Sequence, residues 1–162
     1  MALLNRTVKE QSMSEYGRVM GLDIGDVRIG VALSDPMRMI ASPHAVVKEN
    51  SRDAAVAAIK KIADEQEVVR IVAGVPLNEA GGHGPQAEKT LAFIERLRGA
   101  VSVEVVIQDE RYSTAAANRM LIGANVRRDK RKLVVDKIAA THILQSHLDR
   151  TASDLRAREP RP

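Results

Sequence analysis

What most limits the folds open to this chain is the order in which its apolar patterns change period. Residues 18–25, RVMGLDIG, make a short β-like run, and RIGVALSDP (28–36) makes a second after the tight-turn signal Gly25-Asp26. SPHAVVK (42–48) is a weaker strand candidate. Links this short favour an antiparallel meander. The period then switches. Ala55, Val56, Ile59, Ile62 and Ala63 recur at helical spacing behind the cap residue Ser51, which predicts a helix over 52–66. RIVAGVP (70–76) is almost wholly apolar and predicts a central strand, buried on both faces. A loop, LNEAGGHGP, leads to a helix over 86–98, a strand in VSVEVVIQDE (101–110) and a helix from Ser113 or Thr114 to about Ile122. Gly123 to Lys132 reads as a basic loop, followed by a long helix from about Leu133 to Asp149. The order β-β-β-α-β-α-β-α-α predicts an α/β fold, a five-stranded mixed sheet flanked by helices with its first strand central.

The size suits one domain, expected over 18–150, with a disordered leader (1–17) and a disordered tail (151–162). Met1, Met13 and Met20 are alternative translation starts. Tyr16, Phe93 and Tyr112 are the only aromatics, so the core must be aliphatic, and the composition argues against a base-stacking platform of rings. The absence of cysteine excludes disulfides, iron–sulfur clusters and thiolate zinc sites. His142 and His147 stand five apart, on different sides of a helix, which argues against paired zinc ligation. The N-terminus is too polar for a signal peptide and no apolar run reaches membrane-span length, so no membrane association and a cytoplasmic location are expected. The net charge of +4 is modest, but Arg127, Arg128, Lys130, Arg131 and Lys132 gather five cations in six residues. Such clustering creates a local field that the total does not convey.

Three acids fall at the ends of these elements. Asp23 ends the first strand, Glu110 ends the last, and Asp136 lies in the opening turn of the last helix, sharing a stripe with Ala140, Ile143 and His147. A stripe that packs on the sheet would aim Asp136 at the carboxyl ends of the strands, where open α/β sheets place their sites. Three clustered carboxylates repel one another, and divalent cations resolve the repulsion. An all-oxygen donor set selects Mg²⁺ or Mn²⁺ over zinc. Two such ions about 4 Å apart can clamp a scissile phosphate.

Blander readings exist for each acid. Asp23 in Asp-x-Gly can shape a turn, Glu110 can pair with Arg111 at the surface, and Asp136 can complement the helix dipole. Strand alternation turns Asp109 and Glu110 to opposite faces, so only one can face the site. Asp35, before Pro36, reads as a turn residue, and His147 as a core-edge histidine. The basic stretch at 127–132 leads into the helix that carries Asp136, so phosphates it held would lie beside the acids; its alternative is a solvated charge run.

At these residues the chain resembles the YqgF/RuvX family of RNase H-like nucleases, whose members are named as pre-16S rRNA nucleases or Holliday junction resolvases. The segments that carry the resemblance are GLDIGDVRIGVALSD (21–35), IVAGVPLNEAGG (71–82), VIQDERYSTAAA (106–117) and VVDKIAATHILQSHLD (134–149). The resemblance implies an RNase H-like fold and metal-dependent phosphodiester hydrolysis, with two Mg²⁺ or Mn²⁺ ions. The family's acids fall on Asp23, Glu110 and Asp136, and its hairpin cation on Arg28. Arg111 and Ser113 match the residues after its glutamate and read as groups that position nucleic acid. Tyr112 departs from the leucine frequent there. In relatives of the fold the second acid commonly follows the strand beside the first, whereas Glu110 follows the last strand counted here.

The function expected on family grounds is processing of pre-16S rRNA in ribosome biogenesis. The alternative is Holliday junction resolution in DNA recombination and repair, where two symmetric nicks favour a homodimer. A non-catalytic nucleic-acid-binding module is a second class, opposed by the presence of all three acids. ATP binding is a third, since Asp-x-Gly on a first hairpin also occurs in the actin and sugar-kinase superfamily; those proteins need two such domains around a cleft.

Overall fold

A computed structural model of the chain describes residues 17–77, 82–109 and 128–158, excepting the side chains of 128–134 and 158. Five strands form one sheet: β1 (Arg18–Ile24), β2 (Ile29–Ser34), β3 (Ala41–Val47), β4 (Val68–Val75) and β5 (Glu104–Asp109). Their spatial order is β3-β2-β1-β4-β5. The meander β1-β2-β3 is antiparallel, and β4 and β5 run parallel to β1. The first strand is central, as the pattern predicts. Relatives of helix-bearing βα units need a crossover to make parallel neighbours, and α1 (Arg52–Glu65) and α2 (Pro85–Ala100) supply them.

The pleat divides the core in two. Met20, Leu22 and Ile24 of β1 join Val31, Ile71, Ala73 and the inner faces of α1 and α2, through Ile59, Phe93, Ile94 and Leu97, on one side. Val19, Ala32 and Val72 face the other side, where Ala140, Ile143, Leu144 and Leu148 of α3 (Arg128–Arg158) cover them. Burying Ile143, Leu144 and Leu148 contributes roughly 1.5–3 kcal/mol each in transfer free energy. The helix can lie this close because Gly21 has no side chain. A Cβ there would stand 2.7 Å from Leu144 Cβ and 2.8 Å from the Ala140 carbonyl oxygen.

α3 departs from its expected bounds at both ends. It starts at Arg128, so the basic stretch 128–132 forms its first turns and not a loop. No glycine or proline follows Gly123 in that stretch, and Lys and Arg are good helix formers, so charge density there did not imply irregular backbone. It also continues to Arg158, so residues 151–158 are helical where a disordered tail is expected. Ala152, Leu155, Arg156 and Ala157 favour helix, and the first residue to oppose it is Pro160, whose ring disfavours helical backbone at Glu159. Leader residues 1–16, tail residues 159–162 and the helix expected from Ser113 to Ile122 lie outside the described residues.

Candidate active site

Register assembles the site. Asp23 stands opposite Gly30 on β2 and opposite Gly74 on β4, and Gly74 stands opposite Gln108 on β5. Directly paired residues share a face, so Gly30, Asp23, Gly74 and Gln108 form one row across the sheet, on the α3 side. The acid is thus flanked by two residues that put nothing above the sheet. Adjacent strands lie about 4.8 Å apart, so roughly 10 Å separates the β1 and β5 backbones across Gly74. Only the Asp23 side chain enters that row from β1 and β4.

The same row receives α3. A methyl group at Gly30 would occupy the space of the Asp136 backbone carbonyl, so the helix touches the sheet there without a side chain between. Farther along, Gln108 is 7% exposed and its Nε2 donates to the Ile143 carbonyl at 3.1 Å, tying β5 to the helix. Asp23, at the carboxyl end of β1, and Asp136 on α3 therefore flank one position, Gly30. The expected stripe is present: Ala140 is 0% and Ile143 2% exposed. Asp136 lies eight residues into α3, about two turns from its start. A helix dipole acts within the first turn, so dipole complementation does not account for this acid.

Arg28, in the link between β1 and β2, donates from Nε to Asp136 Oδ2 at 2.9 Å. The two side chains are 26% and 21% exposed. Burial pushes the Asp136 carboxyl above the ordinary carboxylate range, and the charge and hydrogen bond of Arg28 pull it only part of the way back.

The link itself is clamped by a residue that sequence reasoning missed. Arg52, the first residue of α1, donates from Nη1 to the Gly25 carbonyl at 3.1 Å, and its guanidinium sits 5.2 Å from the centroid of the buried Phe93 ring. Gly25 N–H donates to the Arg28 carbonyl at 2.9 Å and closes the turn. The segment joining Asp23 to Arg28 is thereby held from the opposite face of the sheet. The signal for Arg52 is weak in sequence, since an arginine at a helix start reads as surface charge.

Other expectations separate clearly. The Asp35 carboxylate accepts from the backbone N–H groups of Met37, Met39 and Ile40 at the far end of β2, which makes it the turn residue expected. Those bonds hold its carboxyl below the ordinary range. His147 is half-buried at that same far end, near Arg70 and Arg150, and burial lowers its pKa. Asp109 stands opposite Val75, on the face away from α3. Glu110, Arg111, Ser113 and Arg127 lie outside the described residues; Arg128, Lys130, Arg131 and Lys132 lie in the first turns of α3, their side chains undescribed. Among the described residues no trio of His, Cys, Asp and Glu gathers at one point, and no helix is long and apolar enough to cross a membrane. Among the described residues the strand count is five, and in sequence Glu110 comes directly after the edge strand β5, separated from β1 by β4.

Comparison with known proteins agrees with this architecture. The profile of the RuvX family, described as Holliday junction resolvase, matches residues 17–150. A Clostridium botulinum protein named "Putative pre-16S rRNA nuclease" is 45% identical over 132 residues, 82% of this chain and 96% of its own. Its Clostridium kluyveri namesake is 44% identical over 133 residues, 82% and 97% of the two chains. Among solved structures, T. thermophilus RuvC in complex with a Holliday junction substrate superposes with a TM-score of 0.53 at 13% identity, covering 85% of this chain and 96% of that one. The fowlpox virus resolvase, also in complex with junction DNA, gives 0.51 at 10% identity, covering 83% and 98%. At such identities these two carry the fold alone. The family match and the 45% identity decide the matter: the chain belongs to the RuvX family of nucleases, described as Holliday junction resolvases.

Proposed function

We propose that this protein is a divalent-metal-dependent endonuclease that hydrolyses phosphodiester bonds in structured nucleic acid, with Asp23, Glu110 and Asp136 as its metal-binding carboxylates. The observation that carries the reading is the placement of Asp23 beside Gly30, over which the Asp136 backbone is seated, with burial pushing the Asp136 carboxyl above its ordinary range. The donor set fits Mg²⁺ or Mn²⁺: it is all carboxylate oxygen, the hard donor those ions take. Glu110 follows directly on Asp109. When bound, two such ions supply activation of the attacking water and stabilisation of the leaving oxygen. The chain's own residues hold that centre, Arg28 offers a cation beside it, and Arg128, Lys130, Arg131 and Lys132 are assigned to nucleic-acid binding from their clustered charge. Arg111, Ser113 and Arg127 belong to the same nucleic-acid contact.

Pre-16S rRNA is the favoured substrate, because relatives at 44–45% identity bear that name. Such a substrate implies a cytoplasmic protein. Junction DNA is the second reading, favoured by the family description; symmetric nicking would then require a homodimer. Purified protein in Mn²⁺ is to be offered a pre-16S transcript and a four-way junction side by side. The expected outcome is cleavage of the transcript that Asp23→Asn abolishes. Cleavage surviving Asp23→Asn refutes the assignment, and cleavage of the junction alone reverses the substrate.

A further inference from the structure

Arg28 does two things that conflict if the carboxylates hold metal. It already pairs with Asp136, and it is a cation beside the place where a phosphate would arrive. We infer that Arg28 is an exchangeable counter-ion: a divalent cation displaces it from Asp136, and the released guanidinium then takes substrate phosphate. The inference rests on the reading of Asp136 as a metal ligand, and adds to it a coupling between metal and nucleic acid through one side chain.

The geometry favours exchange over a permanent pair. Arg28 engages Asp136 by its Nε to one oxygen, at 2.9 Å, and not by the two-pronged fork that makes arginine–carboxylate pairs strongest. Both side chains retain access to solvent, at 26% and 21% exposure, so neither is stranded when they separate. They also belong to different elements. Arg28 sits in the β1–β2 link, whose backbone is fastened independently by Arg52 to Gly25, while Asp136 is seated through its backbone over Gly30. Separation therefore needs rotation of the arginine side chain and no movement of strand or helix. A divalent ion carries twice the charge of guanidinium and approaches carboxylate oxygen at about 2.1 Å, so it wins the competition once its other ligands are in place. Freed, the guanidinium stays on the same short link, and arginine suits phosphate through its planar donor fork.

Reciprocity makes this testable without turnover. Mn²⁺ is titrated calorimetrically into the full chain, wild type, Arg28→Gln, Arg28→Lys and Asp23→Ala, with circular dichroism confirming that each is folded. Removing the competitor should tighten Mn²⁺ binding by Arg28→Gln about 1.5–5-fold, the scale of a part-exposed ion pair, whereas Arg28→Lys, which keeps the charge, stays near wild type. A labelled RNA stem-loop is then bound in EDTA and in Ca²⁺, with intact RNA verified on a denaturing gel. Ca²⁺ should strengthen RNA binding by wild type more than by Arg28→Gln. Unchanged or weaker Mn²⁺ binding by Arg28→Gln, with wild type binding normally, overturns the exchange and leaves the metal site standing. Absence of Mn²⁺ binding by wild type and Arg28→Gln alike overturns both the metal site and the exchange. Mn²⁺ binding that survives in Asp23→Ala overturns the assignment of the site and the exchange with it.

Discussion

Replacing Gly30 by alanine tests the placement of α3 over the sheet more directly than any change of charge. The added methyl would fall on the backbone carbonyl of Asp136 and against its Cα, at 3.2 Å. A flexible side chain can swing away, but a helix backbone cannot. Relief requires the start of α3 to lift by about 1 Å, loosening the layer formed by Ala140, Ile143 and Leu144 against Ala32 and Val72. Overpacking of this kind costs typically 1–3 kcal/mol, and the rigid neighbour puts Gly30→Ala at about 2–3 kcal/mol. For a chain of this size that is roughly 4–12 °C in Tm. Urea titration and thermal melting measure it, with Gly99→Ala as the control. Gly99 has nothing within 4 Å of its Cβ position and lies in α2, so alanine there should stabilise by about 0.4–1 kcal/mol. Because lifting α3 carries Asp136 away from Asp23, Gly30→Ala should also weaken Mn²⁺ binding. A Gly30→Ala protein that melts with wild type and binds Mn²⁺ normally would refute the seating of Asp136 over β2.

Three further outcomes follow from single side chains. Arg52→Met should cost about 1–2 kcal/mol, from a charged hydrogen bond to Gly25 and the cation–π contact with Phe93, and a urea midpoint equal to wild type would contradict the clamp. In metal-free buffer at neutral pH, Asp136→Asn should melt at or above the wild-type temperature, because its folded carboxyl titrates above the unfolded one and the charge opposes folding there; the same change should abolish stabilisation by Mn²⁺. Marked destabilisation without metal would count against that sign. Asp35→Asn should destabilise at neutral pH. The depressed carboxyl contributes fully above the unfolded value near 4 and loses that contribution as pH falls through the lower folded value, so melts of the two proteins should converge in acid and stay apart at pH 7.

Element order, the central first strand and the candidate acids are all legible along the chain. Those follow from local period and from residue type, which a chain carries without reference to its fold. Asp35 is legible in the same way, since a carboxylate before a turn bonds to amides within five residues of it. Tertiary structure decided what depends on distant partners. That Gly30 and Gly74 are the neighbours of Asp23 follows from register, which no single segment encodes. Arg28 meeting Asp136 spans 108 positions, and Arg52 reaches Gly25 from the other face of the sheet. The bounds of α3 are hidden in a basic run and a polar end, because charge suggests solvated chain, whereas helix formation answers to backbone propensity and to the apolar stripe that anchors Ile143 and Leu144.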